Sequence, residues 1–295
     1  MTSQPTSADN FRGIIALLVS QALFVTSDSC VKVAGTALPA TQIMALRGLI
    51  AVGLSVTVLA LTVDRSRWRL ALQPLVGVRA LLEASSAALF IVSLPHLTLA
   101  SITVLMQVTP LTITMLSALV FREHVGWRRW TAIIVGFLGV TLVAQPGSGS
   151  FSWFSLSTIA VAFLVSVRDL LTRRLDPAIP TAAVTVTTTS SVCLLGFAGM
   201  PLQEWHAVSV FPMILLAGSA CLVTTANALV IRAFRGVDLS VVSPFRYFGV
   251  VWGLVLSYAI WTDVPNILAL IGMVLIVCSG LYTMHRETQR FRRSA

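Results

Sequence analysis

Residues 239–261 read LSVVSPFRYFGVVWGLVLSYAIW, an apolar run of 23 residues with a single charge, Arg246. As a helix such a run is long enough to cross the apolar part of a bilayer. Composition decides whether the bilayer is its solvent. The chain has 295 residues, 56% of them hydrophobic and 11% charged, with a mean hydropathy of +0.89. Soluble domains carry about 25% charged residues. A chain this apolar cannot hide its surface in one globular core, so it reads as an integral membrane protein. Cys30, Cys193, Cys221 and Cys278 lie in apolar segments without paired spacing, which argues against a metal or redox site. The first ten residues carry no Lys or Arg, and Asp28 and Lys32 interrupt the run that follows, so the first segment is expected to stay as an anchor rather than to be cleaved.

Apolar stretches between turn or charge signals place helices at 11–34, 40–63, 75–94, 97–120, 128–144, 154–173, 180–199, 209–232, 239–261 and 265–284. Charge tests this count of ten. One alternating set of helix ends holds Arg12, Arg65, Arg67, Arg69, Arg122, Arg128, Arg129, Arg173, Arg174, Arg232, Arg235, Arg286, Arg290, Arg292 and Arg293, fifteen of the twenty basic residues. Cytoplasmic loops are enriched in Lys and Arg, so both termini are expected in the cytoplasm of a cell whose inner (plasma) membrane holds the protein. The net charge of +9 then reports sidedness and not nucleic-acid binding.

The chain also repeats itself. A shift of 141 residues lays Asp28 on Asp169, Lys32 on Arg173, Pro39 on Pro180 and Gly77 on Gly218, and a shift of 140 lays Glu123 on Asp263 and Gly139 on Ser279. Each half has five helices, so the second enters the membrane upside down. The expected fold is an all-α integral membrane protein, ten transmembrane helices forming two inverted five-helix repeats around a central cavity. Residues 1–144 make the first repeat, 145–153 a connecting loop, 154–284 the second repeat and 285–295 a basic cytoplasmic tail. In such proteins the substrate site lies at the repeat interface near the midplane.

A set of residues in the first half then resembles a known family: Lys32 near the end of helix one, Pro39 and Arg47 in helix two, Pro110 in helix four, Glu123 in "FREHVGW" and the glycine-bearing "IIVGFLGV". This pattern is similar to the EamA-type carriers of the drug/metabolite transporter superfamily, and the whole chain resembles the YddG-type aromatic amino acid exporters among them. The resemblance implies export of small amphipathic metabolites, amino acids including aromatic ones, by alternating access. One departure is plain: the 140 shift puts Pro110 opposite Val250, while the second half carries Pro244, so site positions do not transfer between halves.

A charge at the centre of a bilayer costs at least ~2.5–3.5 kcal/mol, so charged residues in spans face a partner or water. Arg246 lies about nine residues into its expected helix, roughly 13 Å, too deep to snorkel. Pro244 frees a carbonyl one turn earlier, and Gly249 and Gly253 permit close helix approach. Arg246 and Tyr247 then offer a cation for a carboxylate and an aromatic face for an apolar group. The rival reading is a buried ion pair of Arg246 with Glu83 or Asp169.

Gln107, near the kink residue Pro110, and Ser86 and Asn227, superposed by the 141 shift, are further candidate substrate contacts; plain interhelical hydrogen bonding is the alternative. Glu83 is the deepest acid and the coupling candidate, with Arg79 one turn away as its possible partner. Asp28 and Asp169 are gate candidates, each four residues before a basic residue, where an intrahelical ion pair is the simpler reading. No phosphate-binding loop, GxGxxG or HExxH occurs, so cofactors, metals, direct ATP use and enzymatic activity are not expected. An intramembrane or lipid-modifying enzyme, a passive channel, and carriage of a nucleotide-sugar or cationic drug are the competing functions.

Overall fold

The computed structural model describes residues 7–120, 127–145, 152–172, 174–176, 178–233 and 243–294. Every regular element among the described residues is helical: α1 (Ser7–Ala34), α2 (Ala40–Thr62), α3 (Pro74–Ser93), α4 (Leu99–Met106), α5 (Thr109–Val120), α6 (Trp127–Ala144), α7 (Trp153–Thr172), α8 (Thr181–Ala198), α9 (Val210–Ala233), α10 (Phe248–Trp261) and α11 (Ile267–Ser294). Short 3-10 segments cover Arg65–Leu72, Leu94–His96, Met200–Leu202 and Ser243–Tyr247. Helix is the form that satisfies every backbone polar group without water. The threonine-rich α8 extends this economy to its side chains, since Thr185, Thr187, Thr188, Thr189 and Ser191 each donate a hydroxyl to the carbonyl four residues back.

Among the described residues, seven helical stretches are long and apolar enough to cross a membrane, and three shorter apolar helices cover Trp130–Ala144, Phe245–Trp261 and Ile267–Thr283. These segments overlap the positions expected for spans, seven of them long enough to cross a membrane, with three differences. The span 97–120 is two helices, interrupted at Gln107 and Val108. The α-helix of 239–261 starts only at Phe248, after a 3-10 segment; residues 239–242 lie outside the described residues. The last helix runs on through the basic tail to Ser294.

The helices divide into two compact units, and neither unit is one half of the sequence. Unit 1 comprises Met1–Ser27, Thr98–Ser152 and Leu222–Ala295; unit 2 comprises Asp28–Leu97 and Trp153–Cys221.

In unit 2, α2 packs on α8, and α3 packs on both α7 and α8. The α2–α8 approach is backbone to backbone: a Cβ added at Gly196 would stand 2.4 Å from the Ala45 nitrogen, and one at Gly48 would stand 2.8 Å from Cys193 Cα. The start of α2 is tied down by Gln42, whose amide donates to the His206 carbonyl (2.7 Å) and accepts from the His206 N–H (3.1 Å).

In unit 1, α6 packs on α11 and α4 on α10, and Leu17 of α1 is buried with Ala233 of α9. Gly139 and Gly272 each approach the other's carbonyl, so α6 and α11 meet without side chains between them. Gln145 and Asn266 exchange amide hydrogen bonds (2.7 and 3.1 Å) and join one end of this pair.

Candidate functional site

In unit 1 the two interrupted helices meet at their interruptions. Pro110 has no N–H to donate to the Met106 carbonyl, and the Thr109 hydroxyl takes that carbonyl instead (2.7 Å). The chain turns at Gln107 and Val108 and restarts as α5. Residues 107 and 108 shifted by 140 are Tyr247 and Phe248, where the 3-10 segment gives way to α10. The interruptions therefore coincide under the repeat although Pro110 and Pro244 do not. Gln107 Nε2 donates across to the Arg246 carbonyl (3.3 Å) and joins them.

Arg246 thus sits in a 3-10 turn at the head of α10 and not inside a continuous α-helix. Its side chain is exposed, with no ion pair among the described residues. Glu83 and Asp169, the acids expected as its rival partners, are both held by Arg168.

Tyr247 departs from expectation. It is buried, and its ring lies over Gly280 of α11, where an added Cβ would stand 1.7 Å from the hydroxyl. The Tyr247 hydroxyl has no hydrogen-bond partner among the described residues. The absent side chain at Gly280 makes room for the ring, so Tyr247 presents no open aromatic face.

Around the turn, Gln21 of α1 lies against Gly249, and Thr103 of α4 against Gly253. The Trp252 indole donates to the Thr26 hydroxyl (3.1 Å) and stacks on Phe248. Asn227 is exposed on α9 and donates to the Val223 carbonyl of its own helix.

Unit 2 holds most of the charge buried in the helices. Arg168 of α7 clasps two carboxylates: Nη1 donates to Glu83 of α3, while Nη2 and Nε donate to Asp169 Oδ1 (2.7 and 3.0 Å). Arg79 does not pair directly with Glu83. Its Nε donates to Thr172 Oγ1 (2.8 Å) and its Nη1 to Thr188 Oγ1 (2.7 Å).

Asp28 and Arg47 act on each other electrostatically, and the Lys32 ammonium donates to the Leu97 carbonyl. Three acids and three arginines balance here, with Lys32 in addition. Ser86 is buried and donates to the Glu83 carbonyl one turn back (2.9 Å), so it serves its own helix. Arg173, expected to pair with Asp169, lies outside the described residues. Arg168 was missed as the organising cation; the only signal for it in the sequence was an unpartnered arginine in an apolar helix.

Broken apolar helices that meet at their breaks in unit 1, and ion-paired charge within the helices of unit 2, fit a multi-pass membrane protein of carrier type. Residues 11–145 match the EamA-like transporter family. The chain is 25% identical over 280 residues to the pseudopaline exporter CntI of Pseudomonas aeruginosa, an alignment covering 90% of this chain and 93% of that one. It is 25% identical to the S-adenosylmethionine uptake transporter of Rickettsia felis over 62% of each chain. The riboflavin transporter of Vibrio cholerae is also 25% identical, over 64% of this chain and 63% of its own. The alignments with these last two relatives thus span less than two thirds of their length.

A solved structure shares the fold with a TM-score of 0.65 at 19% identity, over 96% of this chain and 99% of that one. These relatives support the carrier superfamily and single out no amino acid exporter. The three curated relatives named above are transporters, which points away from an enzyme.

Proposed function

We propose that this protein exports small amphipathic metabolites, amino acids including aromatic ones, across the inner membrane by alternating access, with both termini in the cytoplasm. The observation that carries this reading is the meeting of the two helix breaks through Gln107 and Arg246 in a chain whose residues 11–145 match a transporter family. Arg246 supplies an exposed cation for a substrate carboxylate, and Gln107 an amide. In this scheme Pro110 and Pro244 maintain the breaks, Tyr247 packs the head of α10 on α11, Asn227 is a secondary contact, and Ser86 supports the helix that carries Glu83. Glu83, Asp169 and Asp28 are the coupling or gate carboxylates.

The helix pairing supports the two-repeat plan. By order of expected spans, α2–α8 pairs helices two and seven, α4–α10 four and nine, and α6–α11 five and ten, each pair occupying equivalent places in the two halves. Export is favoured over uptake because the relative that aligns along 90% of this chain is an exporter.

The test is solute counterflow in proteoliposomes with amino acids, S-adenosylmethionine, riboflavin, a nucleotide-sugar and a cationic drug, with and without a pH gradient. Saturable counterflow of amino acids is expected. Counterflow of another solute alone would overturn the substrate class, and covalent product or unsaturable flux would overturn the transporter.

A further inference from the structure

We propose that the end of unit 2 where α3 begins and α7 ends binds the phosphate headgroup of an anionic phospholipid, with Arg79 as its anchor. Arg79 is half-buried, and two of its five N–H groups are bonded to the hydroxyls of Thr172 and Thr188. Those hydroxyls donate to the carbonyls of Arg168 and Val184, so they fix the guanidinium without neutralising it. The remaining donors have no hydrogen-bond partner among the described residues. Nearby carboxylates are otherwise engaged: Glu83 and Asp169 by Arg168, and Asp176 by the Ala178 N–H (2.8 Å). A guanidinium set by neutral acceptors with its fork open is suited to an oxyanion.

The surroundings favour a lipid as the source of that oxyanion. The 3-10 segment Arg65–Leu72 packs against α3 and α8 and carries exposed Arg67 and Arg69; Arg174 is exposed where α7 ends. Against Arg67, Arg69, Arg79, Arg168 and Arg174 stand Asp64, Asp176, Glu83 and Asp169, five cations to four anions. In sequence, Arg65 and Arg173 belong to the same two stretches.

Apolar groups lie beside these charges. Leu61 and Leu72 are about four-fifths exposed (80% and 81%), and Trp68 is half-buried with its indole donating to the Val63 carbonyl (3.1 Å). Arginine, tryptophan and bare leucine together match a headgroup with its acyl chains, and each basic residue near a membrane surface strengthens anionic lipid binding by roughly fivefold. The site requires residence in a membrane and not transport, so the outcome of the counterflow experiment leaves it standing.

Native mass spectrometry and thermal unfolding of the full chain in neutral detergent, titrated with phosphatidylglycerol, phosphatidylcholine or inorganic phosphate, test the proposal. Phosphatidylglycerol should be retained and raise the unfolding temperature more than phosphatidylcholine. Arg79→Gln should weaken it by about tenfold, and Arg79→Lys should retain part of the effect. Should Arg79→Gln fold poorly, the exposed changes Arg67→Gln and Arg69→Gln provide a second reading, about fivefold each. Equal retention of the two lipids, or unchanged binding in both Arg79→Gln and the Arg67→Gln, Arg69→Gln variant, overturns the proposal. Inorganic phosphate stabilising as well as phosphatidylglycerol would assign the site to a soluble anion and overturn the lipid.

Discussion

Replacing Arg168 by leucine is expected to lower the stability of the purified protein by about 3 kcal/mol, the low end of the cost of stripping one partner from a buried charge pair. Arg168 is the only direct ion-pair partner of Glu83 and Asp169 among the described residues. Its removal strands two part-buried carboxylates between α3 and α7 with their mutual repulsion unopposed. Unfolding in detergent by heat or denaturant measures the loss.

The double change Arg168→Leu with Glu83→Gln should recover a large part of it, because one stranded charge disappears with its cation. A leucine variant as stable as the parent would mean that the clasp is a solvated surface pair. A double variant no better than the single one would place the cost in packing and not in charge.

Gly196→Leu is expected to cost at least about 3 kcal/mol, beyond ordinary overpacking. The first side-chain atom alone would stand 2.4 Å from the Ala45 nitrogen and 2.9 Å from Ala45 Cα. These are backbone atoms of α2 and cannot rotate aside, so α2 and α8 must separate along the contact that Gly48 and Cys193 also make. Gly77→Ala is the matched control. Nothing lies within 4 Å of its added Cβ, and alanine is the better helix former, so that variant should gain roughly 0.5–1 kcal/mol. Equal unfolding temperatures for the Gly196 variant and the parent would contradict the close packing of α2 on α8.

Helix positions were legible because a bilayer imposes one crude requirement, about twenty apolar residues between polar breaks, which composition expresses directly. The breaks within helices were only partly legible. Pro110 marked a defect, but the chain turns before it, at Gln107 and Val108, because a proline disrupts the turn N-terminal to itself. The second break could not be placed by aligning prolines, since Pro110 and Pro244 fall six residues apart under the repeat while the breaks coincide.

Charge partners were the least legible. Spacing suggested Arg79 with Glu83 on one helix face, yet both reach other helices, Arg79 to Thr172 and Thr188 and Glu83 to Arg168. Adjacent residues on a helix do not face each other, and only the length of the Arg168 side chain lets it turn back to Asp169. Tyr247 was read as an aromatic face for the substrate because sequence shows that a residue is aromatic but not that Gly280, thirty-three positions later, leaves room for it.

The claim that substrate is held at the paired breaks of unit 1 rests on Arg246, and equilibrium binding tests it most directly. The radiolabelled solute identified by counterflow is titrated against purified parent and Arg246→Gln protein, with unfolding temperatures recorded alongside. A charge-assisted hydrogen bond contributes about 1.5–3 kcal/mol, so affinity should fall between roughly tenfold and a hundredfold while the unfolding temperature holds, because the exposed guanidinium makes no ion pair among the described residues. Undiminished affinity in the Arg246→Gln protein would contradict the assignment of the site to the break.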